Sequence, residues 1–152
     1  MSLINYRFCI SSLFQKIFPT FFWKRKLNYY KTHFAEVEMY LLQLISIKNK
    51  VSIDIGGAHG TYTANLFDKS SEVITFEPIP KNIKWINDMI RYNGMNARVM
   101  NYALSDYSGD TLLNMIDKST GFSTIEKEND LSKYEKSIKS FKEDAQKILN
   151  NI

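Results

Sequence analysis

Residues 51–60 read VSIDIGGAHG, and this stretch decides the prediction of the fold. Its first half is a short β-rich run, its second half is a glycine-rich turn, and residues 61–67, TYTANLF, can then open a helix. Glycines let a backbone approach a ligand closely, and the N-terminus of a helix offers free N–H groups. This order of strand, turn and helix is typical of a nucleotide-type cofactor site.

The next predicted strand, residues 72–76, ends at an acidic residue, Glu77, which is followed by Pro78. Glu77 lies 23 positions after Asp54, close to the offset of about 20 residues at which an acidic side chain meets a ribose in a βαβ unit. A carboxylate at this place can accept hydrogen bonds from both ribose hydroxyls. The three-glycine dinucleotide fingerprint is absent, since the pattern from Asp54 to Gly60 is D-x-G-x-A-x-G.

Strand and helix patterns continue to alternate after this point. A helix is predicted over residues 81–93 from the apolar spacing of Ile83, Ile86 and Ile90, with Gly94 as its C-terminal stop. A third strand is predicted over residues 97–101. This alternation predicts an α/β fold with a parallel sheet.

Three segments in register resemble the FkbM family of S-adenosylmethionine-dependent methyltransferases. The first is residues 54–60 with Tyr62 and Thr63, the second is FEP at residues 76–78, and the third is NYALSD at residues 101–106 with Gly109. The resemblance covers roughly residues 36–125, and the loop GFST at residues 121–124 is also similar. It implies a class I, Rossmann-like parallel sheet with flanking helices and the strand order 3-2-1-4-5-7-6.

The family continues with a strand similar to I-K-I-D-V-E-G, which has no counterpart after Gly121. The resemblance therefore implies a C-terminally truncated member that contains the first half of the sheet, strands 1–3, with a further strand near residues 111–115. N-terminal and C-terminal helices complete the prediction. The predicted division is residues 1–49, a basic helical segment; residues 50–125, the cofactor-binding half-domain; and residues 126–152, a charged amphipathic helix.

The resemblance implies that S-adenosylmethionine is the cofactor and that the turn and the strand ends hold it. The residues carried over are Asp54, Gly56, Gly57, Ala58, Gly60, Glu77, Pro78, Asn101 and Ala103. The turn at 56–60 is expected under the methionine and ribose, Asp54 near the amino-acid moiety, Glu77 on the ribose hydroxyls, and Pro78 with residues 101–103 around the adenine. No catalytic base is assigned.

Plainer roles remain open for the same residues. Asp54 can cap the following helix, and Glu77 can be an ordinary acidic residue at a strand end. His59 is of a type that serves in acid–base catalysis, but it has no partner in the sequence and is interpreted as a loop residue that shapes the turn.

The charge is concentrated in the N-terminal third, where residues 1–50 hold eight Lys or Arg and two Glu. Apolar residues recur at helical spacing from Tyr6 to Ile17, where Pro19 is expected to end or kink the helix, and again from Tyr30 to Leu44. Both helices are expected to pack on the domain. The alternative is contact of residues 6–26 with a membrane surface, since aromatic residues precede the basic cluster at residues 24–26.

Composition bounds the function. The chain has 152 residues, of which 44% are hydrophobic and 24% charged, as in a single globular domain. With one Cys and two His, neither an internal disulfide nor a structural zinc or other metal site is expected. No stretch is long and apolar enough for a spanning helix. The expected location is the cytoplasm or the inner face of the membrane, with no nucleic-acid partner.

Three functions are compatible with these patterns. The first is a methyltransferase of FkbM type that methylates a hydroxyl of a sugar, glycan or natural product. The second is a truncated, non-catalytic remnant that retains cofactor binding or serves as an interaction module. The third is an NAD-binding domain, against which the missing fingerprint argues. An apolar first strand at the edge of a half-sheet is also expected to favour self-association.

Overall fold

The computed structural model describes residues 12–33, 38–42, 44, 47–105, 109–114 and 137–143. Helix α1 includes residues 12–17. The elements that follow are α2 (Pro19–Thr32), α3 (Glu38–Leu42), β1 (Ile47–Ile55), α4 (Thr61–Leu66), β2 (Ser70–Phe76), α5 (Pro80–Asn93), β3 (Ala97–Met100), β4 (Ala103–Leu104), β5 (Gly109–Asn114) and β6 (Ser137–Glu143).

The fold is α/β, as the sequence predicted. Strands β1, β2 and β3 form a parallel sheet in the order β1-β2-β3, and helices α4 and α5 connect them. This is the order of the first half of a Rossmann-like sheet. All three strands fall where the alternation placed them, although β1 begins four residues before the predicted Val51. Within the described part of the chain, β1 is an edge strand of this sheet.

Helix α5 has the boundaries that its punctuation residues dictate. Pro80 occupies the first turn, where its missing N–H costs nothing. Gly94 follows the last residue with φ 61°, the left-handed conformation that glycine adopts at low cost. The buried residues Ile86 and Met89 lie on the face of α5 that packs into the core.

The N-terminal helices differ from the predicted pair. Pro19 marks a bend at Phe18, as expected, but α2 then runs to Thr32, and the pattern predicted as one helix from Tyr30 to Leu44 is divided between α2 and α3. Trp23 and Tyr30 of α2 are 1% and 6% exposed and belong to the same core cluster as α4 and α5. The expected packing of this segment on the domain is therefore confirmed for α2. Tyr6, Ile10, Phe34 and Val37 lie outside the described residues.

A second sheet has the order β4-β6-β5, with β4 parallel and β5 antiparallel to β6. The strand expected near Thr111 is present as β5, but it does not join the parallel sheet. The predicted C-terminal helix is wrong for residues 137–143, which form β6; the remainder of that segment lies outside the described residues. Ile138 and Phe141 are three positions apart, which suits a helix, but pairing on both sides satisfies the strand's backbone and outweighs that weak local signal.

Candidate functional site

The parallel register brings three of the predicted site residues to one edge of the sheet. Ile55 pairs with Phe76, and Phe76 pairs with Met100. The residues that directly follow these strands, Gly56, Glu77 and Asn101, are therefore level with one another at the carboxyl edge. In open α/β sheets, this edge is where ligands bind.

The turn after β1 is fixed to the end of β2 by backbone hydrogen bonds. The N–H groups of Gly56 and Gly57 both donate to the carbonyl oxygen of Phe76, at 2.9 and 3.1 Å. Gly57 is buried, and a Cβ added to it would collide with Cγ2 of Thr75 and lie 3.0 Å from Cδ1 of Ile86. Gly57 is therefore required by packing against β2 and α5.

Gly56 differs from its neighbour in both conformation and surroundings. Its φ is +79°, which residues other than glycine rarely adopt, and, its two chain neighbours aside, no atom of the described residues lies within 4 Å of where its Cβ would be. Ala58 also has a positive φ of 46°, and it is the one described non-glycine residue that does. The backbone on the open side of the turn is thus held in left-handed conformations, with free space beside Gly56.

Glu77 connects the two strand ends through its side chain. Its Oε2 accepts a hydrogen bond from the Ala58 N–H at 2.7 Å, and its Oε1 accepts from the Ile79 N–H at 2.9 Å and from Asn82 Nδ2 at 3.2 Å. A carboxylate has about four acceptor positions. The described residues use three of them, which leaves one position on Oε2.

Burial raises the pKa of Glu77, and its three hydrogen bonds oppose that rise. The residue is 3% exposed. A desolvated carboxylate forms a stronger hydrogen bond with a ligand hydroxyl than an exposed one does, because no water competes for it.

Asp54 belongs to a buried chain of polar side chains beneath the turn. The Thr63 hydroxyl donates to Asp54 Oδ2 at 2.6 Å, and it lies 2.8 Å from the hydroxyl of Thr75. Since the single Thr63 proton goes to Asp54, Thr75 donates to Thr63. Burial raises the pKa of Asp54, while hydrogen bonds from the Thr63 side chain and backbone lower it. The carboxylate therefore accepts hydrogen bonds from the first turn of α4, and its place near the amino-acid moiety of a cofactor stays a prediction.

The remaining predicted residues take different places around the turn. Gly60 is the N-cap of α4, and a Cβ there would lie 2.8 Å from Cε of Met89. Pro78 is half-buried, Asn101 is exposed, and Ala103 begins β4 in the second sheet.

No sequence pattern assigns a role to Thr75 or Asn82, and Thr63 is named only in the family resemblance. All three are buried. Thr63 donates to Asp54, Thr75 extends that chain through Thr63, and Asn82 donates to Glu77. A signal for Thr63 was present, because it belongs to the first of the three motifs and lies in the first turn of α4. Thr75 and Asn82 had no such local signal.

The arrangement can hold a ligand with a hydroxyl group at Glu77 and a small or flat moiety beside Gly56. Within the described ranges, no three His, Cys, Asp or Glu side chains cluster as metal ligands would. No helix in the same ranges has the length and apolar character needed to cross a membrane.

Comparison with known proteins adds little to this geometry. No family model matches the chain, and no curated protein matches it. Among solved structures, it is similar to the tRNA (m1A58) methyltransferase TrmI from Aquifex aeolicus, with 23% identity and a TM-score of 0.36. That alignment covers 42% of this chain and 26% of the other, so this chain spans about a quarter of that protein's length.

Proposed function

We propose that this chain binds S-adenosylmethionine at the turn after β1 and is a methyltransferase. The observation that carries the proposal is the hydrogen bond between the Ala58 N–H and Glu77 Oε2, at 2.7 Å. It joins the glycine-rich turn to the acidic residue at the end of the neighbouring strand, and these are the two parts that a βαβ nucleoside site needs.

The residues present fit this cofactor. The open space beside Gly56 admits an atom close to the backbone, and the remaining acceptor position of Glu77 suits a ribose hydroxyl. The cofactor, when bound, supplies an electrophilic methyl group. The chain's contribution is to orient the ribose through Glu77 and to hold the turn rigid through Gly57 and the Asp54–Thr63–Thr75 chain, since positioning of two reactants is a large part of such catalysis.

The finer assignment is to the FkbM type, with O-methylation of a sugar, glycan or natural-product hydroxyl. It is supported by the three sequence motifs, which the fold puts on β1 and its turn, on the end of β2 and on the residues after β3. The acceptor is proposed as a small molecule or glycan.

A second candidate is a non-catalytic binding module that keeps the cofactor site. The position of β1 at the edge of the sheet, among the strands that the structure describes, favours it, because β1 is a central strand in the fold that the motifs resemble. Cofactor binding without methyl transfer to any hydroxyl-bearing acceptor distinguishes this candidate from the first.

The test is calorimetric titration of the 152-residue chain with S-adenosylmethionine, comparing Glu77→Gln with Glu72→Gln. Both residues lie at β2, but Glu72 is near its start and pairs with Arg98 at 3.0 Å. We expect Glu77→Gln to weaken binding about tenfold, because a charge-assisted hydrogen bond is replaced by a neutral one, and Glu72→Gln to leave it unchanged.

Circular dichroism of each variant shows whether it remains folded. Absence of heat with folded wild-type protein contradicts the proposal, and equal loss in both variants contradicts the role of Glu77. S-adenosylhomocysteine is expected to compete, whereas competition by NADH alone supports the dinucleotide alternative.

A further inference from the structure

The N-terminal helices carry a cluster of apolar side chains on their surface, which we term the outer patch: Leu13, Phe14, Ile17, Phe18 and Phe21. Four of these are more than half exposed: Leu13 and Ile17 at 57%, Phe18 at 56% and Phe21 at 61%. Single exposed apolar residues are ordinary, but five within nine positions form a contiguous surface.

The bend at Pro19 does not divide the outer patch. The Phe18 N–H donates to the Phe14 carbonyl at 2.9 Å, and the Phe22 N–H donates to the Phe18 carbonyl at 3.0 Å, so the helical ladder continues across the bend. Leu13, Ile17 and Phe21 are therefore stacked at four-residue spacing on one side. The ring of Phe14 lies 5.6 Å from that of Phe18 and 5.8 Å from that of Phe21.

The outer patch is separate from the face that α2 uses to join the domain. Trp23 and Tyr30 provide that inner contact, and the carbonyl oxygens of both accept hydrogen bonds from the domain, from Asn93 and Asn65. Among the described residues, packing of α2 on the domain therefore leaves the outer patch uncovered.

The charged residues of the two helices that carry the outer patch are all basic. Residues 1–35 contain no Asp or Glu. Lys16, Lys24 and Arg25 are exposed, and none takes part in the ion pairs formed among the described residues. The other two cations of these helices are engaged, since Lys31 pairs with Asp68 and Lys26 lies over the rings of Tyr30, Tyr29 and Trp85.

We propose that the outer patch docks on the surface of an anionic lipid bilayer, with Phe18 and Phe21 in the interface and Lys24 and Arg25 at the lipid phosphates. Transfer of phenylalanine and aliphatic side chains from water to the acyl boundary lowers the free energy, and each nearby basic residue adds attraction to anionic lipids. Exposed cations without an acidic neighbour favour such a surface over a neutral one. The helix lies on the bilayer and does not cross it.

The test is co-sedimentation of the full chain with vesicles of phosphatidylcholine alone and of equal phosphatidylcholine and phosphatidylglycerol. We expect binding to the anionic vesicles only, weakened by sodium chloride. Replacement of Lys24 and Arg25 by Glu is expected to weaken binding at least about tenfold, while the same reversal at Lys48 and Lys50, exposed on β1, gives the same net charge and retains most of the binding.

The apolar contribution has its own matched pair. Phe21→Ser is expected to weaken vesicle binding about tenfold, whereas Leu41→Ser, at a residue 59% exposed on α3, leaves it unchanged. Failure of folded wild-type protein to sediment with anionic vesicles overturns the proposal. A dimer in velocity sedimentation that Phe21→Ser converts to monomer, without vesicle binding, assigns the outer patch to a second copy instead.

Discussion

The chain leaves β1 and β2 in opposite ways. Strand β1 is followed by two residues without side chains, Gly56 and Gly57, and their contribution to the turn comes from their backbone. After β2 the chain has a charged side chain, Glu77, which gathers donors from two backbone N–H groups and an amide. The two ends are complementary, because one of those donors is the Ala58 N–H of the turn itself.

This difference shows that adjacent glycines in one motif can be required for different physical reasons. Gly56 is required by its dihedral angle and has empty space beside it, whereas Gly57 is required by the side chains of Thr75 and Ile86. The first kind of requirement leaves room for a ligand. The second fixes the turn against the sheet so that the room stays in place.

The largest effect in this comparison is expected from Gly57→Ala. The new methyl group meets Thr75 Cγ2, so we expect the free energy of unfolding to fall by about 2 kcal/mol, as for an overpacked core. Thr75→Ser removes Cγ2 but keeps the hydroxyl that bonds Thr63. The double variant is therefore expected to be more stable, by about 1 kcal/mol, than the sum of the two single effects predicts. Urea unfolding of the four proteins in this cycle measures the coupling.

Gly56→Ala is the control for that cycle. Its cost of about 1 kcal/mol comes from the positive φ alone, and Thr75→Ser should not change it. If Thr75→Ser restores stability to both alanine variants, or to neither, the two glycines do not differ in the way that the contacts indicate.

The second prediction concerns the carboxylates that flank the turn. Because burial raises the pKa of Asp54 above its ordinary 3.8, the folded protein holds that proton more tightly than the unfolded chain does. The free energy of unfolding then falls as pH rises from about 3.8 through the raised value, by about 1.4 kcal/mol for a pKa difference of one. Asp54→Asn removes this contribution.

Urea unfolding at several pH values between acid and neutral measures it. The stability of wild type relative to Asp54→Asn is expected to decline with rising pH. Glu77→Gln should show the same sign, with its window beginning near the ordinary 4.5 of that group. A relative stability that increases with pH at Asp54 means that the Thr63 hydrogen bonds outweigh burial.

The sequence predicted the parts of this fold that local rules determine. Strand β2 follows from its apolar run, and helix α5 follows from its apolar spacing and from Gly94. The register of the parallel strands then brings Gly56 and Glu77 to one edge. The hydrogen bonds that Glu77 accepts from Ala58 and Asn82 could not be predicted, because they depend on the packing of α5 against the sheet.

The second sheet was missed for the same physical reason. Strand β6 pairs with β5 across more than twenty intervening residues, and a seven-residue segment with two apolar side chains has no decisive period of its own. In α2, the predicted apolar patterns include the buried Tyr30 but not the buried Trp23. Pro19, which is expected to end or kink the first helix, follows a bend and begins the longer helix.

The smallest expected effect distinguishes backbone strain from contact at the turn. Ala58 has φ 46°, which costs an alanine roughly 1 kcal/mol and a glycine almost nothing. Glycine also makes the unfolded chain more flexible, and this effect cancels about half of the stability gained by relieving the strain. Ala58→Gly is therefore expected to raise the free energy of unfolding by about 0.5 kcal/mol, measured by urea unfolding. A loss of stability instead would mean that packing of the Ala58 methyl group on its surroundings outweighs the strain. The conformation of Ala58 would then be determined by contacts, as at Gly57.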